Sequence, residues 1–171
     1  MRTSERLDPA RFDVRFFCFR ADGPLRTRLD RAGIRVDRVP IRGVVSASAV
    51  REGLAFRRLL REQRIDIVHA HDPYSNTFAA PWARLARWPA VITSQRWWKN
   101  VHRPPLRIAN RFAYRFAHRV LANSPAVAEQ VIEHEGVPRE RVCMVPNFVE
   151  HDAFEPLTPD RAGELRRDLG L

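Results

Sequence analysis

The stretch RVLANSPAVAEQVIEHEGVPRERVCMVPNFVEHDAF, which runs from Arg119 to Phe154, decides the fold. Its opening apolar run predicts a buried strand at Val120–Ala122. A helix should follow, because Ser124 can cap the free amides of a first turn and Pro125 fits the first helical position, where no N–H partner is needed. Gly136 suits the left-handed residue that ends such a helix. The pattern therefore predicts a strand followed by a helix, as in α/β proteins.

Strand-like and helix-like segments alternate along the rest of the chain. The predicted strands are Val14–Phe19, Ile34–Val39, Ile65–His69, Ala90–Ser94 and Val142–Val145, and the predicted helices are Pro24–Ala32, Ala49–Gln63, Ser75–Arg87, Pro105–His118 and Ala162–Leu169. This order predicts parallel pairing with right-handed crossovers. We therefore expect an α/β fold with a doubly wound, mostly parallel sheet in three layers. The segment Ile65–His69 is predicted to be a buried strand, and the helix Ala49–Gln63 should carry Val50, Leu54, Leu59 and Leu60 on or near one face.

Length and composition indicate one globular domain. The chain has 171 residues, of which 44% are hydrophobic and 9% aromatic, enough to bury a core. The first residues lack the apolar segment of a secretory signal, and no apolar run approaches the roughly 20 residues that span a bilayer. Cys18 and Cys143 lie in apolar runs, so we expect buried, unpaired thiols, as in a reducing cytosol. These features predict a cytoplasmic protein.

The net charge of +10 raises the question of nucleic-acid binding. Of the 30 basic residues 29 are Arg, and they are spread through the predicted helices among Asp and Glu. That spread is typical of solvated helix faces, and no zinc-finger, RNA-recognition or basic-zipper pattern accompanies it. We therefore expect no nucleic-acid partner.

Four motifs near strand ends stand in a characteristic order. They are His69-Ala70-His71, Val91–Gln95, Leu121–Ser124 and Val145–Glu150. In this order and spacing the chain resembles the N-terminal, acceptor-side domain of family-4-like glycosyltransferases with the GT-B fold, over about residues 9–160. The resemblance implies the Rossmann-like half of a GT-B fold that lacks its first strand. It divides the chain into a domain at 1–154 and, at 155–171, a linker and first helix towards an absent C-terminal domain.

The resemblance also implies a reaction. Such enzymes transfer a glycosyl group with retention from a nucleotide-sugar donor to an acceptor, which can be lipid-linked, and they need no metal. The family's Gly-rich loop and its paired donor-site glutamates cannot be placed in this chain. We therefore expect no cofactor bound by this chain and no activity without the missing C-terminal domain, supplied in cis or in trans. Two alternatives remain open: a stand-alone acceptor- or membrane-binding module that partners a separate catalytic subunit, and a truncated remnant.

Residues at the ends of two neighbouring strands are the candidates for catalysis. His71 should point into the cleft, whereas His69 should pack; we expect the two on opposite faces, unable to share a metal ion. Gln95 stands where the family often has a His, and it can bond a sugar hydroxyl but cannot carry a proton. Arg96 can neutralise phosphate charge or form an ordinary surface ion pair. The predicted catalytic residues are thus His71, Gln95 and Arg96.

Further residues are assigned to the two substrates. Asp72, Asn76 and Trp97 are predicted to bind the acceptor. Ser124 and Asn147 are predicted to lie near the donor, although Ser124 is also explained as a helix cap alone.

A basic stripe predicts contact with an anionic membrane. Two tryptophans precede a helix with arginines at every fourth position, and this combination is typical of interfacial helices. The residues of the stripe are Trp97, Trp98, Arg103, Arg107, Arg111 and Arg115. The alternative is that Ile108, Phe112 and Phe116 pack on the sheet while the arginines face water.

Overall fold

The computed structural model describes residues 4, 6–20, 22–44, 46–97, 104–149, 158–168 and 170. The predictions made for Trp98, Arg103, Glu150 and the domain boundary at 154–155 lie outside these residues.

The described chain forms six short parallel strands. They are β1 (Arg15–Cys18), β2 (Arg35–Arg38), β3 (Ile67–Ala70), β4 (Ala90–Gln95), β5 (Arg119–Ala122) and β6 (Val142–Met144). Strands β1 and β2 pair with each other, and the other four form a second sheet in the order β3-β4-β5-β6. All of these pairings are parallel. The predicted α/β class with parallel sheets is confirmed.

Helices connect the strands as predicted. They are α1 (Pro24–Arg31), α2 (Ala47–Glu62), α3 (Pro73–Ala86), α4 (Pro104–Ala113), α5 (Pro125–Glu133) and α6 (Pro159–Asp168), with short 3₁₀ turns at Tyr114–Phe116 and Arg139–Arg141. The start of α5 matches its prediction: the Ser124 hydroxyl accepts a hydrogen bond from the Val127 amide at 3.3 Å, and Pro125 is the first helical residue. Gly136 has φ 69°, the left-handed conformation expected after the helix.

The buried face of α2 differs from the prediction. Its buried residues are Ala49, Gly53, Phe56 and Leu60, which recur with the period of one helix face. Val50 and Leu54 are 53% and 52% exposed whereas Leu60 is buried, so the prediction that these residues lie on or near one face was wrong. Two of the buried positions, Ala49 and Gly53, are small because α2 packs closely against α3.

Both sheets share one apolar core. The ring of Phe17, in β1, lies 5.2 Å from that of Phe56, and the ring of Phe19 lies 5.6 Å from that of Phe78, both centroid to centroid and edge to face. Val68 of β3 belongs to the same cluster. A second cluster lies beneath α5; it contains Tyr114, Ala117, Val120, Ala122, Val127, Val131 and Val137. Helix packing therefore joins the two sheets.

Strand β3 is buried on one face only. Val68 and Ala70 are buried, whereas Ile67 is 55% exposed and His69 is also exposed. The prediction of a fully buried strand was wrong, because side chains alternate between the two faces and only one face of β3 is covered. Its second face leaves His69 accessible at the end of the strand.

Candidate functional site

Three neighbouring strands end at one edge of the four-stranded sheet. In the parallel register, Ala70 of β3 lies opposite Thr93 of β4, and Gln95 of β4 lies opposite Ala122 of β5. The side-chain amide of Asn123 donates to the Arg96 carbonyl at 3.2 Å and so joins two strand ends. This carboxyl edge is where open parallel sheets place their ligands.

His69 and His71 lie on the same face of the chain. Their ring centroids are 3.9 Å apart, and His69 Nε2 lies 2.8 Å from Ser94 Oγ. The prediction that the two rings point to opposite faces was wrong, because residues two apart in an extended strand share a face. The sheet edge therefore presents a histidine pair, with the hydroxyl of Ser94 bonded to one ring.

The imidazoles of His69 and His71 are held neutral by the nearby positive charge of Arg96 and by partial shielding from solvent. Neighbouring atoms shield part of the His69 ring from solvent, and this shielding, followed by repulsion from His71 and Arg96, lowers the pKa of His69 to about 4. Partial shielding from solvent, followed by repulsion from Arg96, also lowers the pKa of His71, and Asp72 opposes this shift. At neutral pH the positive charge beside the rings is that of Arg96, which is exposed, and the negative charge is that of Asp72. The site can thus attract an anion while the imidazoles remain hydrogen-bond acceptors.

Asp72 is the cap of α3. Its carboxylate accepts hydrogen bonds from the Tyr74 and Ser75 amides, both at 2.9 Å. Ser75 Oγ in return accepts from the Asp72 amide at 3.0 Å and from the His71 amide at 3.1 Å. This reciprocal box fixes the turn that carries His71. Asp72 remains half-buried, so its predicted contact with the acceptor would have to coexist with the cap.

A chain of buried polar side chains lies behind the sheet edge. Asn76 donates to the Ser94 carbonyl at 3.0 Å and to Asn110 Oδ1 at 2.9 Å. Asn110 donates to the Tyr114 hydroxyl at 2.8 Å, and that hydroxyl donates to Gln95 Oε1 at 2.7 Å. The network ties α3, α4 and the end of β4 together. Each of these side chains makes at least one hydrogen bond, which favours a single arrangement. Asn76 Oδ1 is buried without a hydrogen-bond partner in the described part of the chain.

Burial limits what two of the predicted site residues can touch. Asn76 is 0% exposed and Gln95 is 4% exposed. Gln95 Nε2 donates to the Trp97 carbonyl at 3.2 Å, so Gln95 holds the chain that leaves β4, while the Trp97 side chain remains partly accessible. Asn76 and Gln95 therefore present little surface to a ligand, and the predicted acceptor contact of Asn76 and catalytic part of Gln95 stay predictions.

The two residues predicted near the donor lie on separate loops. Ser124 caps α5 with its hydroxyl, and it follows Asn123 at the same sheet edge. Asn147 is exposed beyond β6. Their predicted contact with a donor stays a prediction.

Several members of the site were not identified from the sequence. Ser94 and Asn123 belong to strand ends, and their positions could have revealed them, since each lies next to a residue already selected. Asn110 and Tyr114 lie on a helix and a turn where no neighbouring residue had been selected from the sequence. Only their burial in the structure identifies them as part of the network.

The outer face of α4 is apolar as well as basic. Ile108 is 70% and Phe112 54% exposed, and Phe116 is half-buried. The buried residues of this helix are instead Asn110 and Ala113. The alternative in which Ile108 and Phe112 pack on the sheet was therefore wrong.

The described residues contain neither a cluster of metal ligands nor a membrane-spanning helix. No cluster of three or more His, Cys, Asp or Glu side chains in this part of the chain could hold a metal ion. None of the helices in the described ranges is long and apolar enough to cross a bilayer. Cys18 and Cys143 are free and half-buried, more accessible than predicted.

Known proteins similar to this chain are glycosyltransferases. The chain is 25% identical over 176 residues to the UDP-Gal:alpha-D-GlcNAc-diphosphoundecaprenol alpha-1,3-galactosyltransferase of Escherichia coli, covering 98% of the chain and 44% of that protein. It is 40% identical over 60 residues to the alpha-galactosylglucosyldiacylglycerol synthase of Streptococcus pneumoniae, covering 35% of the chain and 16% of that protein. The chain thus spans less than half the length of these relatives.

Solved structures share the fold. Anabaena HepE in complex with UDP superposes with a TM-score of 0.71 at 19% identity, over 91% of this chain and 42% of that one. A glycosyltransferase from Rickettsia africae superposes with a TM-score of 0.67 at 15% identity, over 91% and 41%. These matches confirm the predicted Rossmann-like half of a GT-B fold. The Glycosyl transferase 4-like domain model matches residues 1–147, and the chain belongs to that glycosyltransferase family.

Proposed function

We propose that this chain is the acceptor-side domain of a glycosyltransferase that uses a nucleotide-sugar donor. The observation that carries the proposal is the sheet edge at which Arg96 lies beside the neutral His69–His71 pair. A single fixed positive charge next to hydrogen-bond acceptors suits a ligand that joins a phosphate to a sugar. Membership of the family supports the same reading.

Each residue of the edge has a part in the proposal. Arg96 neutralises phosphate charge, which is the main electrostatic demand when a nucleoside diphosphate departs. His71 accepts a hydrogen bond from an acceptor hydroxyl, and Trp97 offers a partly exposed ring to a sugar face. Asp72 holds the His71 turn and keeps its free lone pairs for the acceptor.

The donor side is the less complete part of the proposal. Ser124 and Asn147 would face the donor diphosphate across the cleft. Because the chain spans 44% of the Escherichia coli relative, a donor-binding domain in cis or in trans completes the site. Retention of configuration is carried over from the family resemblance and belongs to the same proposal.

The names of the relatives favour a lipid-linked acceptor. One relative acts on a diphosphoundecaprenol-linked sugar, and the other makes a glycosyl diacylglycerol. We extend this to the present chain: its acceptor carries a lipid, and the reaction takes place at the cytoplasmic face of a membrane.

Acceptor binding by the chain tests the proposal directly. The probe is a water-soluble prenyl diphosphate carrying N-acetylglucosamine, followed by saturation-transfer NMR. We expect Arg96→Gln to weaken binding about tenfold or more, the effect of losing one charge-assisted phosphate contact. Arg119→Gln is the matched control, since Arg119 begins β5 at the opposite edge of the same sheet.

Two results would contradict the proposal. One is an equal loss of binding in the Arg96 and Arg119 variants, which would indicate unspecific charge attraction. The other is unchanged binding in both Arg96→Gln and His71→Ala, which would put the acceptor elsewhere.

A further inference from the structure

We propose that the outer face of α4 is a binding site for anionic phospholipid at a membrane surface. In this proposal Ile108 and Phe112 enter the interface between headgroups. Arg111, Arg115 and Arg141 hold lipid phosphates beside them. The inference concerns attachment to the membrane and does not depend on the proposed glycosyl transfer.

The apolar part of this face points away from the protein. Asn110 and Ala113 mark the buried side of α4. At 3.6 residues per turn, Ile108 and Phe112 lie roughly 160–200° around the helix from Asn110. Both are more than half exposed. Large apolar residues at the centre of an exposed helix face indicate a binding surface rather than a core.

Cationic groups flank the apolar centre. Arg111, Arg115 and Arg141 line a solvent-open cavity of about 90 Å³, together with Tyr114 and the loop from Glu135 to Pro138. Within the described residues, none of the three guanidinium groups forms an ion pair. Glu135 is the carboxylate among the lining residues and leaves the cavity with excess positive charge. Arginine favours phosphate because its donors form a planar fork.

The apolar and basic groups are continuous. The Arg115 guanidinium lies 6.0 Å from the centroid of the Phe112 ring, and the rings of Phe112 and Phe116 are 5.2 Å apart. An apolar stripe bordered by arginines is the pattern of helices that lie in the headgroup region.

The charge of the surrounding sequence favours lipid over other occupants. Between Pro73 and Ala128 the chain has nine basic residues and no Asp or Glu. A second copy docked through the same face would bring arginines against arginines, which is unfavourable. An anionic leaflet instead supplies negative charge to Arg111, Arg115 and Arg141 at this surface.

The place of α4 connects this surface with the candidate site. Asn110 of α4 accepts a hydrogen bond from Asn76, and Tyr114, just after α4, donates to Gln95 at the end of β4, behind the sheet edge that carries Arg96. A membrane bound along α4 would therefore lie beside that edge, where a lipid-linked acceptor would be presented.

Vesicle co-sedimentation of the 171-residue chain tests the proposal. The probes are phosphatidylcholine vesicles and vesicles with about a third of phosphatidylglycerol, the anionic lipid that basic residues should select. We expect binding to the anionic vesicles alone. Ile108→Ser with Phe112→Ser should lower the partition coefficient about tenfold or more, and Arg111→Gln with Arg115→Gln should do the same.

Matched controls come from α2 and the turn that follows it. Val50→Ser with Leu54→Ser removes two apolar side chains that are similarly exposed, and Arg61→Gln with Arg64→Gln removes two exposed arginines. Both controls should bind the vesicles as the unchanged chain does, and circular dichroism verifies that every variant is folded.

Three outcomes would overturn the proposal. The first is equal weakening by the α2 controls. The second is release from the vesicles by inorganic phosphate with no effect of the Ile108 and Phe112 changes, which would indicate a site for free phosphate. The third is a dimer in light scattering that the same two changes dissociate, without any binding to anionic vesicles.

Discussion

Gly53 lies directly against the indole of Trp82, where α2 and α3 cross. A methyl group in place of its hydrogen would overlap the ring at Nε1, Cδ2 and Cε2. The contact explains why glycine, a poor helix former, stands at position 53 in the middle of α2. The two helices can approach this closely because residue 53 has no side chain.

Gly53→Ala should therefore destabilise the protein. Alanine would contribute about 0.5–1 kcal/mol of helix propensity, but overpacking costs about 1–3 kcal/mol because the indole has to move. We expect a net loss of free energy of unfolding, measured by urea denaturation. Gly163→Ala is the control: nothing lies within 4 Å of its added methyl, so it should stabilise or leave unchanged the helix α6. Equal effects at both glycines would contradict the packing explanation.

Removal of the Tyr114 hydroxyl should break the buried network. In Tyr114→Phe, Asn110 loses an acceptor and Gln95 Oε1 loses its donor, and buried polar groups without partners cost about 1–3 kcal/mol. The free energy of unfolding should fall by that amount. Adding Gln95→Leu to Tyr114→Phe should recover part of the lost free energy of unfolding, because the double variant no longer buries the unpaired Gln95 Oε1. Strictly additive effects would show that the two residues are not coupled.

Stability should decrease on acidification because His69 is held neutral. Its pKa in the folded protein is about 4, below the ordinary value of 6.5, so the unfolded chain takes up the proton first as the pH falls. The contribution of neutral His69 to the free energy of unfolding is complete above about pH 6.5, declines as the pH falls towards 4 and then levels off. His71 and His118, whose pKa values are also lowered, act in the same direction. Urea denaturation at several pH values should show a shallower dependence in His69→Gln, and an unchanged slope would exclude His69.

The two roles of Asp72 can be separated by substitution. Asp72→Ala removes the cap of α3 and should cost about 1 kcal/mol of unfolding free energy. Asp72→Asn keeps a capping oxygen and should cost far less. If both variants bind the acceptor analogue equally well, Asp72 acts through the turn alone. Weak binding by Asp72→Asn, with stability retained, would instead assign its charge to the acceptor.

Local signals predicted the order of elements well. Ser124, Pro125 and Gly136 each act through backbone geometry within a few residues, so their effect is visible in the sequence. Strands were found because apolar runs and alternation do not depend on distant contacts.

Helix faces were predicted poorly, for a physical reason. Val50, Leu54 and Leu60 were predicted on or near one face of α2, yet Val50 and Leu54 are exposed. Ala49 and Gly53 are buried beside Leu60 instead, where α3 approaches closely. In α4 the core side is taken by Asn110, whose partners come from other elements. Which face of such a helix is buried depends on contacts with elements distant in the sequence, and these contacts cannot be inferred from a single sequence. The buried part of the candidate site was missed for the same reason.

The separation of the strands into two sheets has a consequence for local unfolding. Strands β1 and β2 bond to each other, and the aromatic contacts of Phe17 and Phe19 join them to the shared core. Opening of this pair would expose little of the second core cluster, which lies beneath α5. In native-state hydrogen exchange, the amides of β1 and β2 should form a separate, less protected cooperative unit, while those of β4 and β5 exchange only on global unfolding. Of the two sheets, the one that holds the candidate site should thus be the slower to open.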